Sequence, residues 1–318
     1  MASQGAVYMQ KTIAKAFTIN GVGLHSGKDF QAVVSPAPCN TGIQFKRDDV
    51  LHCDYTRITP YNVSSTQLAT TIDCGGLPIS TIEHFSAAFY GLGIDNAYIS
   101  VSGTEVPILD GSAKIIMEHI EQAGIKEQKE KRKVLKVTRP VSIEYEGKTV
   151  EITPCDNFQI TFELDYPHPA IGRQVFTYNY DENTFHKEIG IARTFGFKRE
   201  VEALWAMGLA KGGSLDNAIV LDDEKGVLNQ EGLRFENEFV RHKILDMFGD
   251  LALIGYRLQG SIKASKSGHQ VNNVFARALL EATNSYVIEE ENKTVKEQPA
   301  KVCTAYENLT QNIAISAI

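Results

Sequence analysis

The sequence predicts an α+β protein with two similar domains, each a β-sheet packed against helices. Its 318 residues correspond to about two domains of roughly 150 residues each. The hydrophobic fraction of 43% is enough to build two cores, and the charged fraction of 22% is that of a globular chain. A helical stretch that ends at a glycine and leads into a strand occurs once in each half, which suggests duplication of one unit.

The first copy of this pattern lies between residues 80 and 103. The segment Ser80-Thr81-Ile82-Glu83-His84 precedes a helical stretch at 85–92, and Gly93 is a helix-stop signal. The residues at 97–103 then predict a strand.

A run of charges separates the two halves. Residues 126–133 read Lys-Glu-Gln-Lys-Glu-Lys-Arg-Lys and follow Gly124, another helix-stop signal. Such a run is typical of a solvated linker or helix end. We therefore predict an N-terminal domain at residues 1–125, a linker at 126–133 and a C-terminal domain at 134–318, which opens with a strand.

The second copy of the pattern lies further along the chain. Residues 163–166 predict a strand that runs into a turn fixed by Pro167 and Pro169. A helical stretch follows at 239–254, then a glycine, then a strand at 260–265.

An amphipathic stretch at 195–213 has two interpretations. Its apolar residues are Val201, Leu204, Trp205, Met207 and Leu209. The first interpretation is a core helix with a glycine cap. The second is a lid or wall for an apolar ligand, because a segment with Met and Trp between glycine-rich ends can adapt its shape.

Charge and cysteine content restrict the class of protein. A net charge of −7 and a pI of about 5.7 argue against general nucleic-acid binding but allow an anionic small molecule in a local basic pocket. The five cysteines are odd in number and form no CxxC pair, which indicates free thiols in a reducing compartment. We find no apolar run of about 18 residues and no signal-peptide pattern. The protein is therefore expected in the cytoplasm, without an integral membrane segment.

The segment at 241–250 carries the strongest chemical signal. His242, Asp246 and Asp250 are spaced by four residues, so a helix places them on one face. A His and an Asp one turn apart can bind a single metal ion. The same spacing also suits a surface or capping pair, and the residues alone leave both interpretations open.

Glu83 and His84 form a second candidate cluster. Ser80-x-x-Glu83 matches a capping box, which is the structural interpretation. A Glu beside a metal-binding His can also serve as the base of a metal-dependent hydrolase. The set His84, His242 and Asp246 would supply three ligands from both halves, which is the pattern of catalytic zinc and would put the active site at the domain interface.

Two further segments carry reactive side chains. Lys266-Ser267-Gly268-His269 follows a predicted strand and is expected to form a loop. His269 is then either an idle exposed residue or a charged acid, with the lysine holding an anionic group. In Arg193-Thr194-Phe195-Gly196-Phe197, the threonine hydroxyl can donate to an oxyanion.

Seven motifs along the chain together resemble one enzyme family. They are, in order, Gly21-Val22-Gly23-Leu24-His25-Ser26-Gly27, Ser80 to His84 as above, Pro107-Ile108-Leu109-Asp110-Gly111-Ser112, Ala192-Arg193-Thr194-Phe195-Gly196-Phe197, Gly232-Leu233-Arg234-Phe235-Glu236, Val240-Arg241-His242-Lys243 and Lys266 to His269. On these motifs the chain resembles the UDP-3-O-acyl-N-acetylglucosamine deacetylases, zinc enzymes of lipid A biosynthesis. The resemblance runs from about residue 10 to residue 285 and implies the two-domain α+β fold with the active site between the domains.

The resemblance also implies catalytic roles. It gives a zinc ion the ligands His84, His242 and Asp246. It makes Glu83 the base that activates water, and it makes His269 the charged partner that stabilises the oxyanion or protonates the leaving amine. Asp250 would orient His269.

The remaining implied roles concern the substrate. Thr194 would donate a hydrogen bond to the oxyanion. Lys243 and Lys266 would bind substrate, the second near the diphosphate. Phe195 would contact the sugar and Tyr166 the uracil ring, and the amphipathic stretch would form the passage for the acyl chain.

The sequence departs from the family at one position. Many members have a cysteine next to the metal, where this chain has Ala69 in Thr66-Gln67-Leu68-Ala69-Thr70. We expect a monomer that binds Zn²⁺, or Fe²⁺ with the same ligands. Two rival functions remain open: a sugar-nucleotide-binding protein without activity, and a zinc amidohydrolase that acts on a different acyl sugar.

Overall fold

The computed structural model describes residues 8–291, which form five α-helices and twenty strands. The helices are α1 (Glu83–Gly91), α2 (Lys114–Ala123), α3 (Val201–Ala206), α4 (Glu238–Ala252) and α5 (His269–Glu281). The strands are β1 (Met9–Ile13), β2 (Phe17–Val22), β3 (Asp29–Pro36), β4 (Ile43–Arg47), β5 (Thr56–Arg57), β6 (Val63–Ser65), β7 (Thr71–Asp73), β8 (Pro78–Ile79), β9 (Ala97–Val101), β10 (Ile125–Lys131), β11 (Lys133–Val137), β12 (Val141–Tyr145), β13 (Lys148–Thr153), β14 (Phe158–Tyr166), β15 (Gly172–Asn179), β16 (Phe195–Phe197), β17 (Ile219–Asp222), β18 (Gly226–Val227), β19 (Arg257–Ser265) and β20 (Tyr286–Glu290).

Two large sheets organise the chain. A five-stranded sheet has the order β2-β3-β9-β4-β5 and uses only strands from the first third of the sequence. A seven-stranded sheet has the order β12-β13-β19-β11-β20, and β14 and β15 join it through β19. The mixed α+β class is thus confirmed. The division at 1–125, 126–133 and 134–318 stays a prediction.

The charge run at 126–133 forms strands rather than a helix end. Most of it belongs to β10, which pairs antiparallel with β1, and its last residue opens β11. Nearly all side chains of β10 are exposed, so the charges are solvated as expected. A two-stranded ribbon can hold such a sequence because its polar side chains face water while the backbone groups pair.

The two helices that carry the predicted site lie against each other in the core. All nine residues of α1 are buried, as is most of α4. Gly249 on α4 touches the backbone of Glu83, and a side chain at 249 would overlap the Glu83 carbonyl. A glycine is therefore required for this close approach, which holds α1 and α4 side by side.

The strand predictions around the site are largely confirmed. The strand expected at 97–103 is β9, the strand at 163–166 is the end of β14, and the strand at 260–265 is the second part of β19. The strand expected to open at 134 is β11. None of the helices within residues 8–291 combines the length and the apolar character that crossing a bilayer requires.

Candidate active site

Three candidate metal ligands come together between α1 and α4. The Nε2 atom of His242 lies 3.2 Å from Oδ1 of Asp246, and Nε2 of His84 lies 3.8 Å from the same oxygen. One ligand atom from each residue falls within 4.8 Å of the others, and all three residues are buried. The two rings are nearly perpendicular with centroids 5.2 Å apart. The i, i+4 pair therefore faces a third ligand in the interior instead of forming a surface pair.

The environment of His242 and Asp246 suits metal binding. Nδ1 of His242 lies 3.0 Å from the carbonyl of Ala192, and a proton on Nδ1 leaves Nε2 with a lone pair. Burial lowers the pKa of His242 although Asp246 opposes it, which favours the neutral imidazole that a metal requires. Burial alone would raise the pKa of Asp246, but His242 and Lys243 hold it well below its usual range.

Glu83 is the first residue of α1 and does not take part in a capping box. The helix has no side-chain cap hydrogen bond at its N-terminus, and the Ser80 hydroxyl accepts from Thr71. The capping-box interpretation is therefore wrong. Glu83 instead accepts a hydrogen bond of 2.9 Å from the backbone N–H of Thr70. Burial raises the pKa of Glu83 to about 7, with the charge of His269 opposing the rise.

His269 is held by a carboxylate. Its Nδ1 lies 2.9 Å from Oδ2 of Asp250. Burial by itself would lower the pKa of His269, but Asp250 outweighs it and raises the pKa to about 9. The prediction of a loop histidine is wrong in one respect, because His269 is the first residue of α5 and Gly268 precedes it as the N-cap.

Asp250 is fixed by two residues that the sequence reasoning missed. Thr70 donates its hydroxyl to Oδ1 of Asp250 at 2.5 Å, and Asn272 donates its amide to Oδ2 at 2.8 Å. Thr70 thus contacts both Glu83 and Asp250. Asn272 follows His269 by three residues, so a helix places both side chains on one face. This spacing was the signal in the sequence that could have identified Asn272 as a second partner of Asp250.

A third missed residue is His25. It is 8% exposed, and neither ring nitrogen has a hydrogen-bond partner within residues 8–291. Burial lowers the pKa of His25, although the charge of the nearby Glu105 acts to raise it. The charge of His269 also acts on it, so His25 lies near the cluster. His25 belongs to the first of the seven motifs, but no spacing or neighbouring residue in the sequence distinguishes its imidazole.

The predicted substrate residues form an adjacent aromatic group. The rings of Tyr166 and Phe195 lie 5.8 Å apart, and Phe195 contacts the ring of His242 at 6.4 Å. The ammonium of Lys243 lies over the ring of Phe195 and 2.7 Å from Asp246. Lys266 sits apart from them, half-exposed and paired with Asp165 at 2.8 Å.

A buried ion pair positions the segment that carries Thr194. Glu238 accepts from both the backbone N–H and the guanidinium of Arg193, and both side chains are almost completely buried. The carbonyl of Ala192, next in the same segment, lies against His242. Thr194 is thereby held two residues after Ala192, half-buried, immediately before β16.

The amphipathic stretch contains no core helix. It begins as β16 and continues into α3, a six-residue helix that has no buried residue. Trp205 and Met207 are 53% and 57% exposed. The core-helix interpretation is wrong, and an exposed apolar wall fits the second interpretation.

Comparison with known proteins gives one family. The profile of the UDP-3-O-acyl N-acetylglycosamine deacetylase family matches residues 10–281. A UDP-3-O-acyl-N-acetylglucosamine deacetylase of Acidithiobacillus ferrooxidans is 46% identical over 273 residues, which cover 85% of this chain and 90% of the relative. The enzyme of the same name from Geotalea uraniireducens is 45% identical, with 90% and 94% covered. That of Thioalkalivibrio sulfidiphilus is 43% identical, with 93% and 99% covered.

Proposed function

Since the chain belongs to the UDP-3-O-acyl N-acetylglycosamine deacetylase family, we propose that it removes the N-acetyl group of UDP-3-O-acyl-N-acetylglucosamine. The products are acetate and UDP-3-O-acyl-glucosamine, on the route to lipid A. The observation that carries the proposal is one cluster with three groups: candidate metal ligands, a carboxyl with a pKa of about 7, and a histidine with a pKa of about 9.

The donor set fits a divalent metal ion. His84, His242 and Asp246 would hold it, and two imidazoles with one carboxylate suit Zn²⁺ or Fe²⁺. When bound, such an ion acts as a Lewis acid and lowers the pKa of water to about 7. We propose zinc as the native metal, on the resemblance to the zinc-dependent deacetylases.

Amide hydrolysis needs a base, an acid and a donor to the oxyanion. Glu83 is proposed as the base, because a carboxyl with a pKa near neutrality both accepts and releases a proton at physiological pH. His269, kept charged by Asp250, is proposed as the acid for the leaving amine. Thr194 is proposed as the donor to the oxyanion.

Substrate binding is proposed for the residues beside this cluster. Phe195 would contact the sugar and Tyr166 the uracil ring, since their rings pack together next to His242. Lys243 would bind substrate, and Lys266 would exchange its contact with Asp165 for the diphosphate. Exposed Trp205 and Met207 would line the acyl passage. All four cysteines within residues 8–291 carry free thiols, which supports the proposed cytoplasmic location.

The first experiment is acetate release from UDP-3-O-acyl-N-acetylglucosamine by the purified full chain. It is measured before chelation, after chelation, and after adding back Zn²⁺ or Fe²⁺. We expect activity to vanish on chelation and return with metal. A folded protein with no activity in any metal state would overturn the deacetylase function and leave a binding protein.

A second measurement separates the rival amidohydrolase. The same assay is run on the acylated sugar without its UDP portion. We expect a large loss of kcat/KM, because Tyr166 and Lys266 would then have no partner. Equal rates on both substrates would instead favour an amidohydrolase that acts on a different acyl sugar.

A further inference from the structure

A second cavity lies on the side of α1 away from the metal ligands. Its volume is about 340 Å³, which is the size of a small-metabolite pocket. Ser86 and Tyr90 line it from α1, Gly255 from the turn after α4, and Arg257 from the start of β19. None of the proposed catalytic or substrate residues takes part in its lining.

The charges in the floor of this cavity are paired with carboxylates in it or behind it. Arg132 and Arg257 line the floor and face Asp95, which also lines it. Behind the lining, Arg132 pairs with Glu182 and Glu291, and Lys11 pairs with Glu182. Arg132 and Arg257 also donate to backbone carbonyls, at Gly93, Tyr90 and Ile94. Among the described residues, these three cations are therefore matched by three carboxylates, and the network offers a ligand no unpaired charge.

The mouth of the cavity differs, because two cations there have no counter-charge among residues 8–291. Arg57 and Lys133 both line the cavity and are exposed. Neither forms an ion pair with any of residues 8–291. The guanidinium of Arg57 lies directly against two glycines: a Cβ at Gly42 would be 2.8 Å from its Nε, and one at Gly255 would be 3.1 Å from its Nη2.

One neutral group in the wall lacks a partner as well. The hydroxyl of Ser86 is fully buried, and it has no hydrogen-bond partner within the part of the chain that the structure describes. A buried hydroxyl without a partner is destabilising unless a ligand or water satisfies it. The Ser86 hydroxyl has almost no accessible surface, so it marks an unsatisfied polar position behind the cavity wall rather than a contact open to a ligand.

We propose that this cavity is a second binding site, for a small metabolite that carries a phosphate group. Two uncompensated cations match the charge of a phosphate monoester, and the planar fork of Arg57 suits its oxygens. The volume exceeds that of a lone phosphate, so the rest of the molecule would extend past Asn96 and Tyr256, which also line the cavity.

Amide chemical shifts in the metal-loaded full chain test the site. The probes are inorganic phosphate and glucose 6-phosphate. The resonances of Gly42 and Gly255 report the mouth, and that of Gly249, packed on Glu83, reports the catalytic cluster. We expect saturable shifts at Gly42 and Gly255 with both probes, and tighter binding of glucose 6-phosphate.

Substitutions assign the shifts to the two cations. Arg57→Ala and Lys133→Ala should each weaken binding by about tenfold or more, the effect of losing one charge-assisted hydrogen bond. Arg139→Ala, an exposed arginine outside the cavity, should bind as the unmodified chain does. All three positions are exposed, so equal melting temperatures confirm that the variants fold.

Three outcomes would overturn the proposal. The first is the absence of saturable shifts at Gly42 and Gly255. The second is equal affinity in Arg57→Ala, which would place the phosphate elsewhere. The third is binding of phosphate without binding of glucose 6-phosphate, which would show that the cavity does not accept a metabolite.

Discussion

The Nδ1 atom of His269 lies 2.9 Å from Oδ2 of Asp250, and this contact decides the charge of the histidine. Burial favours the neutral ring, whereas Asp250 favours the charged one and prevails, so the pKa rises to about 9. Thr70 and Asn272 hold Asp250 from two other directions. The proposed proton donor is thus kept charged beside a carboxyl, Glu83, whose pKa is about 7.

Asp250→Asn should shift the alkaline limb of the pH–rate profile to lower pH. The proposed acid acts while it is protonated, so activity is present below the pKa of His269 and is lost as the pH rises through it. Removing the carboxylate removes the main influence that raises this pKa. The measurement is kcat/KM against pH for both proteins. An unchanged alkaline limb would show that another group sets it.

Glu83→Gln should remove most turnover while the metal stays bound. A general base contributes about 10²–10⁴-fold to rate, and the amide of the variant cannot take up a proton from water. Metal content and kcat are measured on the same preparation, with Glu118→Gln, on the outer face of α2, as control. His269→Ala is likewise expected to lose most turnover and to keep its metal. Loss of metal from either active-site variant would mean that the residue is a ligand or a structural support.

Glu238→Ala should destabilise the fold strongly. Its partner Arg193 would be left buried without its main counter-charge, and breaking a buried pair costs about 3–5 kcal/mol. Glu163→Ala removes the equivalent half of an exposed pair with Arg173 and should cost about 0–1 kcal/mol. Urea unfolding gives both values. Similar free energies of unfolding in the two variants would contradict the proposed clamp on the Thr194 segment.

Trp205→Ala should lower kcat/KM for substrates with long acyl chains and leave short-chain substrates unaffected. The side chain is 53% exposed, so the stability change should stay within about 0.5 kcal/mol. Leu51→Ala, at 88% exposure in the segment between β4 and β5, is the matched control. A uniform loss for all chain lengths would argue against an acyl passage along this stretch.

Much of the site could be predicted because its signals are local. The i, i+4 spacing of His242 and Asp246 requires only that the segment be helical, and α4 is. The strands β9, β14 and β19 could likewise be predicted from the pattern of their own residues. The errors at Ser80 and at the 201–209 stretch share one cause. Each pattern has two local interpretations, and only packing chooses between them.

The sequence by itself determined which residues can do the chemistry: the ligand types, their helical spacing, and the seven ordered motifs that indicate the family. Tertiary structure alone decided which of them meet. His84 and His242 are 158 positions apart in the chain, and they meet at one candidate metal site because Gly249 lets α4 lie against α1. The pKa values of Glu83 and His269 could not be predicted from the sequence either. Burial and the neighbouring charges set these values, and both exist only once the chain has folded.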